Sequence, residues 1–552
     1  MTLGTEILII GGGATGLGVA RDCALRGFKT ILVEKGDLAH GTSGRYHGLL
    51  HSGGRYAVRD RASARDCIVE NRILRRTFPD AIEDTGGLFV VTPNDPPEYA
   101  NPWLAACAEV GIPVEEIPIA LALKEEPLLN PKISRAFRVP DAACDSFDLL
   151  HALAASVREA GGEVYLRHRV ESLIVEGGRV CGAVTRNVAT DERLTLRAEM
   201  VVNCAGAWAG QIAATAGCEL RVTPGKGTMI AMNSRLVNTV VNRCHPPDDG
   251  DILVPVGTVS VIGTTEVVVE NPDQYAIEAW EVEKLLAEGE VLVPRFREFR
   301  ALRAWAGVRP LFEEGRGKKE EGSHEGDENS RLISRAHSIL DHETRDGVGR
   351  LISVVGGKLT TFRLMAEQAA DLVCRKMNVT RECRTAEIPA SEAGKTYHIH
   401  GARLGNVEHR GDMTGRIGEG DEIICECELV TRAQVEEALK ASASPVLNDL
   451  RRDLRLGMGP CQAGFCAYRA AGILNSQLQM SNFKLKIRNP QSAINSALLE
   501  FLQERWKGLR PVMWGANLKQ LELDLTIYRH TLAADRLPLS REPEEYPTEK
   551  TA

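Results

Sequence analysis

Residues 7–34 constrain the fold of this chain more than any other stretch, because they have the pattern of a complete mononucleotide-binding βαβ unit. The short apolar run 7–10 predicts a buried strand of a parallel sheet. Residues 17–25 continue as a predicted helix that ends at Gly27, and residues 30–33 predict a second strand. Two strands joined through a helix in so short a stretch indicate an α/β fold.

The loop between the first strand and the helix is a G-x-G-x-x-G sequence formed by Gly11, Gly13 and Gly16. Gly11 permits the tight turn, Gly13 allows a pyrophosphate to approach the backbone, and Gly16 allows the helix to pack closely on the strand. The helix N-terminus offers free N–H groups to the phosphates. Glu34 lies where an acidic residue accepts ribose hydroxyls, so the stretch predicts a dinucleotide site.

Length and composition limit the class of protein. A chain of 552 residues is too long for one core and predicts about two to four domains. Its net charge of −8 argues against a nucleic-acid partner. No apolar run approaches the ~18 residues of a membrane span, and the N-terminus has no basic leader. We therefore expect a cytoplasmic protein with no transmembrane segment of its own.

The segment 35–55 is rich in Gly, Ser and Thr and is punctuated by His and Arg. It resembles the segment that runs beneath the isoalloxazine in flavoproteins of the D-amino-acid-oxidase superfamily. That resemblance favours FAD over NAD and implies cofactor contacts from Lys35, Thr42 and Ser43. By composition alone, a solvated surface loop is an equally good interpretation.

Two further stretches resemble flavin-binding parts of the same superfamily. The apolar strand at 200–208 resembles the strand that returns to the FAD domain, which implies that Ala205, Gly206 and Trp208 lie near the cofactor. Val170 resembles the residue that pairs its backbone with the adenine.

The last flavin-like stretch is 351–363, a predicted buried strand followed by Gly356 and Gly357 and by a helix that starts near Thr360. It places a second helix N-terminus at the pyrimidine end of the flavin, where it stabilises negative charge. The implied cofactor contacts extend from the glycines through Lys358, Leu359 and Thr360.

These stretches predict the domain organisation. Residues 1–375 form a Rossmann-like FAD-binding domain with an inserted α+β substrate domain, and residues 376–420 form a linker. Residues 421–475 form a small helical module, and residues 476–552 form a helical tail whose end, from 538, is disordered.

Longer motifs resemble one family, the FAD-dependent glycerol-3-phosphate dehydrogenases. They are HSGGRY (51–56), VVNCAGAW (201–208), ILVP with SVIGTTE (252–266), GVRPL (307–311), ILDHETRDG (339–347) and GGKLTTFR (356–363). The cysteine-bearing end resembles the catalytic polypeptides of the anaerobic, three-subunit members. The charged insertion 313–331 is the least diagnostic part.

The family resemblance implies a reaction and a location. Glycerol 3-phosphate would be oxidised at C2 to dihydroxyacetone phosphate by hydride transfer to FAD. Electrons would pass through an iron–sulfur centre and membrane-associated partner subunits to quinone. The protein would be peripheral on the inner face of the cell membrane.

Such a site needs a cationic cradle for a dianionic phosphate and a group that takes the hydroxyl proton. Arg55, Arg309 and Lys358 are the candidate cations, and Tyr56 adds a hydroxyl. His51 is the candidate proton acceptor, because the ordinary pKa of histidine suits a base at neutral pH.

Two questions about the proton acceptor remain open at this point. Arg309 could instead hold the alkoxide, which would make His51 an orienting group. His47 and His245 are weaker candidates for the base.

Four of the 14 cysteines, Cys425, Cys427, Cys461 and Cys466, are clustered as C-x-C and C-x4-C. Four thiolates in two close pairs are what a metal centre requires. The pattern resembles the bacterioferritin-associated-ferredoxin module, which implies a [2Fe–2S] cluster, with zinc as the alternative. Helices are predicted over 431–441, with Thr431 as N-cap, over 447–456, and after Cys466.

Two alternative functions remain. One is a related FAD-dependent dehydrogenase of amino or hydroxy acids, which would want a carboxylate clamp. The other is a non-catalytic relay protein that carries electrons through flavin and an iron–sulfur centre.

Overall fold

The computed structural model describes residues 2–188, 190–312, 336–390, 422–441, 446–480 and 490–531, together with 533, 534 and 537. The strands are β1 (Thr2–Ile10), β2 (Thr30–Val33), β3 (Leu49–Leu50), β4 (Ile82–Glu83), β5 (Gly87–Val91), β6 (Glu115–Ile117), β7 (Arg135–Val139), β8 (Ala142–Cys144), β9 (Glu163–Tyr165), β10 (His168–Glu176), β11 (Arg179–Asn187), β12 (Arg193–Asn203), β13 (Thr223–Met232), β14 (Val240–Arg243), β15 (Ile252–Val256), β16 (Val259–Gly263), β17 (Val267–Val268), β18 (Ala301–Leu311), β19 (His337–Asp341), β20 (Leu351–Gly356), β21 (Ile423–Cys425) and β22 (Val430–Thr431). The helices are α1 (Ala14–Leu25), α2 (Arg61–Thr77), α3 (Ala100–Val110), α4 (Ile119–Glu125), α5 (Ser146–Glu159), α6 (Ala209–Ala214), α7 (Ala279–Leu292), α8 (His342–Asp346), α9 (Phe362–Lys376), α10 (Arg432–Ala441), α11 (Leu447–Leu454), α12 (Cys466–Met480), α13 (Pro490–Trp506) and α14 (Ala516–Thr526).

The first sheet has eight strands and contains the predicted βαβ unit. Its parallel centre runs in the order β20, β12, β1, β2, β9. The antiparallel strands β10 and β11 continue beside β12, and β19 pairs with β20. The predicted unit is confirmed, and β2 has the predicted bounds. The helix α1 begins at Ala14, earlier than the predicted 17, because Gly13 already stands at its N-cap.

Both faces of the first sheet are buried, as the apolar strand pattern predicts. Successive side chains of β1 point to opposite faces. Ile7 and Ile9 pack in the core under α1, α5 and α9. Leu8 and Ile10 pack in the core on the other face, with residues of β10, β11 and α6.

The second sheet has nine strands and forms the inserted α+β domain. Its strands come from two stretches of the chain, β5–β7 and β13–β18, so the chain leaves the first sheet and returns to it twice. The long antiparallel pair β13 and β18 lies next to the first sheet's carboxyl edge, and β5 pairs in parallel with β14. The alternation of the two domains along the chain is confirmed.

The C-terminal module combines the β21–β22 hairpin with α10–α14 around one core. The predicted helices are confirmed: α10 starts after Thr431, whose Oγ1 accepts the backbone N–H of Gln434 at 3.4 Å. Phe501 and Leu502 of α13 are fully buried in the same core as residues of α10–α12. The segment beyond 475, predicted as a separate tail, therefore packs in this module as far as it is described.

The proposed domain boundaries stay predictions. Of the predicted linker, residues 377–390 are described and lie against α1: Arg21 donates to the carbonyl of Ile388 at 2.6 Å, and Arg26 donates to that of Arg381 at 2.9 Å. The rest of the linker, the charged insertion 313–331 and the end from 538 lie outside the described residues.

Candidate active site

A cavity of about 740 Å³ lies where the carboxyl ends of the parallel strands face β13 and β18 of the second sheet. Ligands of open α/β sheets bind at this edge. Most of the predicted site residues line it: Gly11, Gly13, Glu34, Lys35, Thr42, Ser43, His51, Tyr56, Val170, Ala205, Gly206, Trp208, Arg309, Gly356, Gly357, Lys358, Leu359 and Thr360. Gly16 and Arg55 do not line it.

The glycine loop is required by close approaches of the backbone. Gly11 has φ +114°, and a Cβ there would lie 2.5 Å from the carbonyl oxygen of Cys204. A Cβ on Gly16 would lie 1.9 Å from the carbonyl oxygen of Gly11. Gly16, which the motif groups with the cofactor contacts, therefore serves the packing of α1 on β1 and makes no wall of the cavity.

Glu34 is held at the end of β2 by two backbone N–H groups. Its Oε2 accepts from Gly12 and its Oε1 accepts from Gly36, both at 2.7 Å. Burial raises the pKa of Glu34, and these two donors act in the opposite direction. The carboxylate is fixed at the place where the motif predicts the ribose contact, which stays a prediction.

The segment 35–55 passes through the cavity, so the surface-loop interpretation does not apply to its lining residues. Ser43 Oγ accepts the backbone N–H of Ala14 at 3.0 Å and so lies at the N-terminus of α1. Thr42 Oγ1 donates to the carbonyl of Val308 in β18. The segment thus connects the phosphate-binding helix to the second sheet.

Lys35 and Trp208 meet at one side of the cavity. The Lys35 Nζ lies 3.7 Å from the centroid of the Trp208 ring. Both contact Asp273: Trp208 Nε1 donates to it at 2.8 Å, and Lys35 pairs with it at 3.4 Å. Asp273 also lines the cavity and was not predicted, because its loop carries no motif.

The start of α9 forms another wall. Gly356 and Gly357 have φ of +75° and +80°, and a turn at Leu359–Thr361 leads into α9, as predicted. A Cβ on Gly356 would lie 2.5 Å from the carbonyl oxygen of Ala336. The positive end of the α9 dipole therefore lies at the cavity and favours negative charge there.

His51, Tyr56 and Lys358 come together on this wall. The rings of His51 and Tyr56 have centroids 5.5 Å apart, and Lys358 Nζ lies 4.5 Å from the Tyr56 ring centroid. Lys358 also donates to Ser63 Oγ at 2.9 Å, and the backbone N–H of His51 donates to Thr360 Oγ1 at 3.2 Å. The structure thus groups one cation, one hydroxyl and one imidazole.

Two other histidines are the weaker candidates for the base. His47 lines the cavity, with its ring centroid 6.2 Å from that of His51. His245 does not line it and lies 3.7 Å from Asp251, and burial lowers its pKa.

Arg309 enters the cavity from β18 of the second sheet. Its Nη2 donates to the carbonyl of Thr265 at 2.8 Å and, at 3.4 Å, to that of Lys226. These carbonyls orient the guanidinium along the cavity wall, so a cation from each domain faces the same space.

Arg55 is not brought into the cradle. Its Nη1 pairs with Asp251 Oδ2 at 2.6 Å, and the two side chains are 13% and 1% exposed. A buried carboxylate requires a cationic partner, and that requirement directs Arg55 away from the cavity.

Arg45 is a cavity residue that sequence reasoning did not single out. It lines the cavity, and its Nη1 donates to the hydroxyl of Tyr275 at 3.0 Å. Arg45 lies in the segment 35–55, and the predicted position of that segment beneath the flavin could have identified it as a cavity residue.

The four clustered cysteines form two pairs. Cys425 is hydrogen-bonded to Cys466, and Cys427 is hydrogen-bonded to Cys461. The pKa of Cys461 is lowered to about 6, first by the hydrogen bond from Cys427 and then by backbone N–H groups of the following loop. Those donors favour a thiolate, which is the form that binds a metal.

The arrangement fits two metal ions better than one. Among the described residues, three or more ligand atoms all within 4.8 Å of one another occur at Cys218, His342 and Asp346, and not among the clustered cysteines. A tetrahedral zinc ion, with Zn–S near 2.3 Å, would need all four sulfurs within about 4 Å of one another. Two sulfur pairs suit a [2Fe–2S] cluster.

In the part of the chain that the structure describes, no helix combines the length and the apolar character needed to cross a membrane.

Comparison with known proteins assigns two parts of the chain to families. The sequence model of the FAD dependent oxidoreductase family matches residues 6–372, and that of the BFD-like [2Fe-2S] binding domain matches residues 423–476. The A1 subunit of the anaerobic glycerol-3-phosphate dehydrogenase of Haloferax volcanii is 42% identical over 97% of this chain and 91% of its own length. The A subunit of the enzyme of that name from Escherichia coli K12 is 42% identical over 95% of this chain and 96% of its own. A structure of the glycerol-3-phosphate dehydrogenase from Bacillus halodurans, complexed with FAD, has a TM-score of 0.56 and 20% identity, covering 95% of each chain.

Fold and site together define an FAD-dependent oxidoreductase with a C-terminal [2Fe–2S] module, so FAD and a [2Fe–2S] cluster are its cofactors. Within that class, the chain belongs to the family of anaerobic glycerol-3-phosphate dehydrogenase A subunits, as the sequence motifs predict.

Proposed function

We propose that this protein oxidises sn-glycerol 3-phosphate at C2 to dihydroxyacetone phosphate. Electrons then leave through its [2Fe–2S] cluster and partner subunits to a membrane quinone. The observation that carries the proposal is the convergence of Lys358, Arg309, Tyr56 and His51 on the cavity that contains the dinucleotide-binding loop. Family membership over nearly the whole chain supports it.

Binding of the substrate needs compensation for a dianionic phosphate. Lys358 on the α9 side and Arg309 on the β18 side are the two cations that we assign to this role. Hydrogen bonds to charged groups are short and about twice as strong as neutral ones. Two such contacts would fix the phosphate, and the fixed phosphate would limit the positions that C2 can take.

Oxidation at C2 requires removal of the hydroxyl proton as the hydride leaves. We propose that His51 accepts this proton. Its ring packs against Tyr56, whose ring also contacts Lys358. When bound, FAD supplies the hydride acceptor, and the cluster supplies a carrier of single electrons.

Partner subunits and a peripheral position on the inner membrane face are part of the proposal. The relatives' names describe them as subunits of a larger enzyme, which supports partners for this chain. Quinone as the final acceptor would be reached through those partners.

Anaerobic stopped-flow spectroscopy of the purified holoprotein tests the reaction. Glycerol 3-phosphate should bleach the flavin absorbance, and glycerol, which lacks the phosphate, should not do so at equal concentration. Bleaching by an amino or hydroxy acid in place of glycerol 3-phosphate would indicate a related dehydrogenase. Bleaching by none of these would favour the non-catalytic relay protein.

A further inference from the structure

A second cavity, of about 1140 Å³, lies between the flavin-binding part of the chain and the C-terminal module. It shares residues 45–47 with the wall of the flavin cavity. Its opposite side includes Gln462, the neighbour of the cluster ligand Cys461. The cavity therefore lies between the two redox sites and touches residues beside both.

Arginines dominate the charged residues that line this interdomain cavity, and three of them come from different elements. Arg303 comes from β18, Arg451 from α11 and Arg505 from α13. Arg451 and Arg505 are only 7% and 3% exposed. Burial lowers the pKa of all three, that of Arg451 to about 10. Like charges buried together repel one another, so this wall has an unfavourable electrostatic energy of its own.

Part of the hydrogen-bonding capacity of this wall is unused by the protein. Arg505 Nη2 donates to Gln462 Oε1 at 3.0 Å, but Arg505 Nε and Nη1 are buried and have no protein partner among the described residues. Arg303 Nη1 donates to the carbonyl of Glu504 at 3.2 Å, and its Nε has no partner in the same described part of the chain. Buried polar atoms are paired in the great majority of cases, so these unpaired donors leave the positive charge of Arg303 and Arg505 poorly compensated behind the cavity wall.

The nearby carboxylates do not balance the charge. Burial acts to raise the pKa of Glu504, but Arg451 and Arg303 prevail and lower it to about 2, so this side chain is ionised. Asp145, also on the wall, pairs with Arg455 at 2.6 Å. Glu278 is the third carboxylate of the lining, which also carries six arginines and Lys507, so positive charge is left that suits a dianion better than a carboxylate.

Another part of the wall is apolar and aromatic. It includes Val256, Val259, Val261, Phe147, Ile277 and Trp305. We propose that this interdomain cavity binds a phosphomonoester with an apolar or aromatic body, its phosphate held by Arg303, Arg451 and Arg505. A purely structural role would be better served by apolar side chains, because replacing buried charges by well-packed hydrophobic residues is often neutral or stabilising.

Isothermal titration calorimetry of the holoprotein with phenyl phosphate tests this proposal. To separate the cavity from the substrate site, the titration is made in an Arg309→Met background. Binding should persist there and should weaken by about tenfold or more when Arg505→Met or Arg303→Met is added, since each removes charge-assisted hydrogen bonds. Inorganic phosphate should bind more weakly than phenyl phosphate, because it leaves the apolar wall uncovered.

Arg300→Met is the matched control, since Arg300 is a neighbouring arginine that donates to the carbonyl of Pro460 at 2.6 Å and does not line this cavity. It should leave phenyl phosphate affinity unchanged. Arg505→Met alone should not lower the melting temperature of the ligand-free protein, and flavin reduction by glycerol 3-phosphate should continue. If one variant does not fold, the other decides.

Two results would overturn the proposal. One is undiminished phenyl phosphate affinity in the folded Arg303→Met and Arg505→Met variants. The other is complete loss of binding in Arg309→Met alone, which would assign all binding to the substrate site. Neither result would bear on flavin bleaching by glycerol 3-phosphate, so the two proposals fail separately.

Discussion

At the scale of single residues, the chemistry of the flavin cavity depends on where a few charges are directed. Lys358 and Arg309 face the cavity from opposite domains, whereas Arg55 is occupied by Asp251. All three stand in glycine-containing motifs, so their local sequences are alike in character. The difference between them is the presence of a buried carboxylate within reach.

Arg309→Ala should lower kcat/KM for glycerol 3-phosphate by about ten- to a hundred-fold. A hydrogen bond to a charged group contributes roughly 1.5 to 3 kcal/mol, and that range converts to this loss. Steady-state kinetics with a dye acceptor measure the effect. Flavin content should stay normal, and Arg309→Lys, which keeps the charge, should lose less. Unchanged kinetics in Arg309→Ala would exclude this residue from the site.

Arg55→Ala should lower the stability of the folded protein. It leaves Asp251 buried without its guanidinium partner, and breaking a buried pair in this way costs roughly 3 to 5 kcal/mol. Thermal unfolding of the holoprotein should show a lower midpoint. A fall in kcat/KM with an unchanged midpoint would return Arg55 to the substrate cradle.

At the scale of elements, two helix starts and the strand ends between them build the flavin site. The start of α1 follows β1 through the glycine loop, and the start of α9 follows β20 through Gly356 and Gly357. Each helix start brings positive partial charge to the same cavity. Close packing of helix on strand is what holds those charges in place.

Gly16→Ala tests this packing. The added Cβ would lie 1.9 Å from the carbonyl oxygen of Gly11, so α1 must move away from β1. Bound FAD per protein, measured from the absorbance ratio, should fall, and the melting temperature should fall with it. Gly4→Ala is the matched control in β1, because no atom lies within 4 Å of its Cβ position in the described part of the chain. A Gly16→Ala protein with full flavin would contradict the packing role.

At the scale of the whole molecule, the C-terminal module is held against the flavin-binding part by charged and backbone contacts. Arg455 joins Asp145 at 2.6 Å and Glu428 at 3.0 Å, and Arg452 pairs with Asp37. The backbone N–H of Ala304 donates to the carbonyl of Gly508 at 2.9 Å. The cluster site and the flavin cavity are therefore parts of one assembly, as electron transfer between them requires.

Cys461→Ser should separate the two redox functions. The reduced protein should lose the paramagnetic signal of the cluster, because one of four thiolate ligands is removed. Flavin bleaching by glycerol 3-phosphate should survive, since Cys461 does not line the flavin cavity. Transfer to quinone in the assembled complex should fall. Full iron content in the variant, or zinc without iron in the wild type, would contradict the electron-carrier role.

Much of the flavin site could be predicted because its signals are local. The spacing of Gly11, Gly13 and Gly16 reports turns and contacts between neighbouring elements, and Glu34 follows at the next strand end. The cysteine spacing is local within C-x-C and within C-x4-C, but the hydrogen-bonded pairs, Cys425 with Cys466 and Cys427 with Cys461, each join one motif to the other. The glycine loop could be predicted because its chain neighbours stay spatial neighbours, and the cluster because its two motifs resemble a known module.

Charge pairing and domain contact were decided only by the tertiary structure. Asp251, which pairs with Arg55, is distant from it in the sequence. The arginines that β18, α11 and α13 bring to the interdomain cavity are likewise distant from one another. Periodicity and motif spacing describe short stretches of sequence and do not predict contacts between residues that are distant in the sequence. By itself, the sequence determined the FAD-binding unit, the cluster ligands and the family. The fold determined which cations face a ligand, because a buried charge takes whatever partner the packing of distant segments brings within reach.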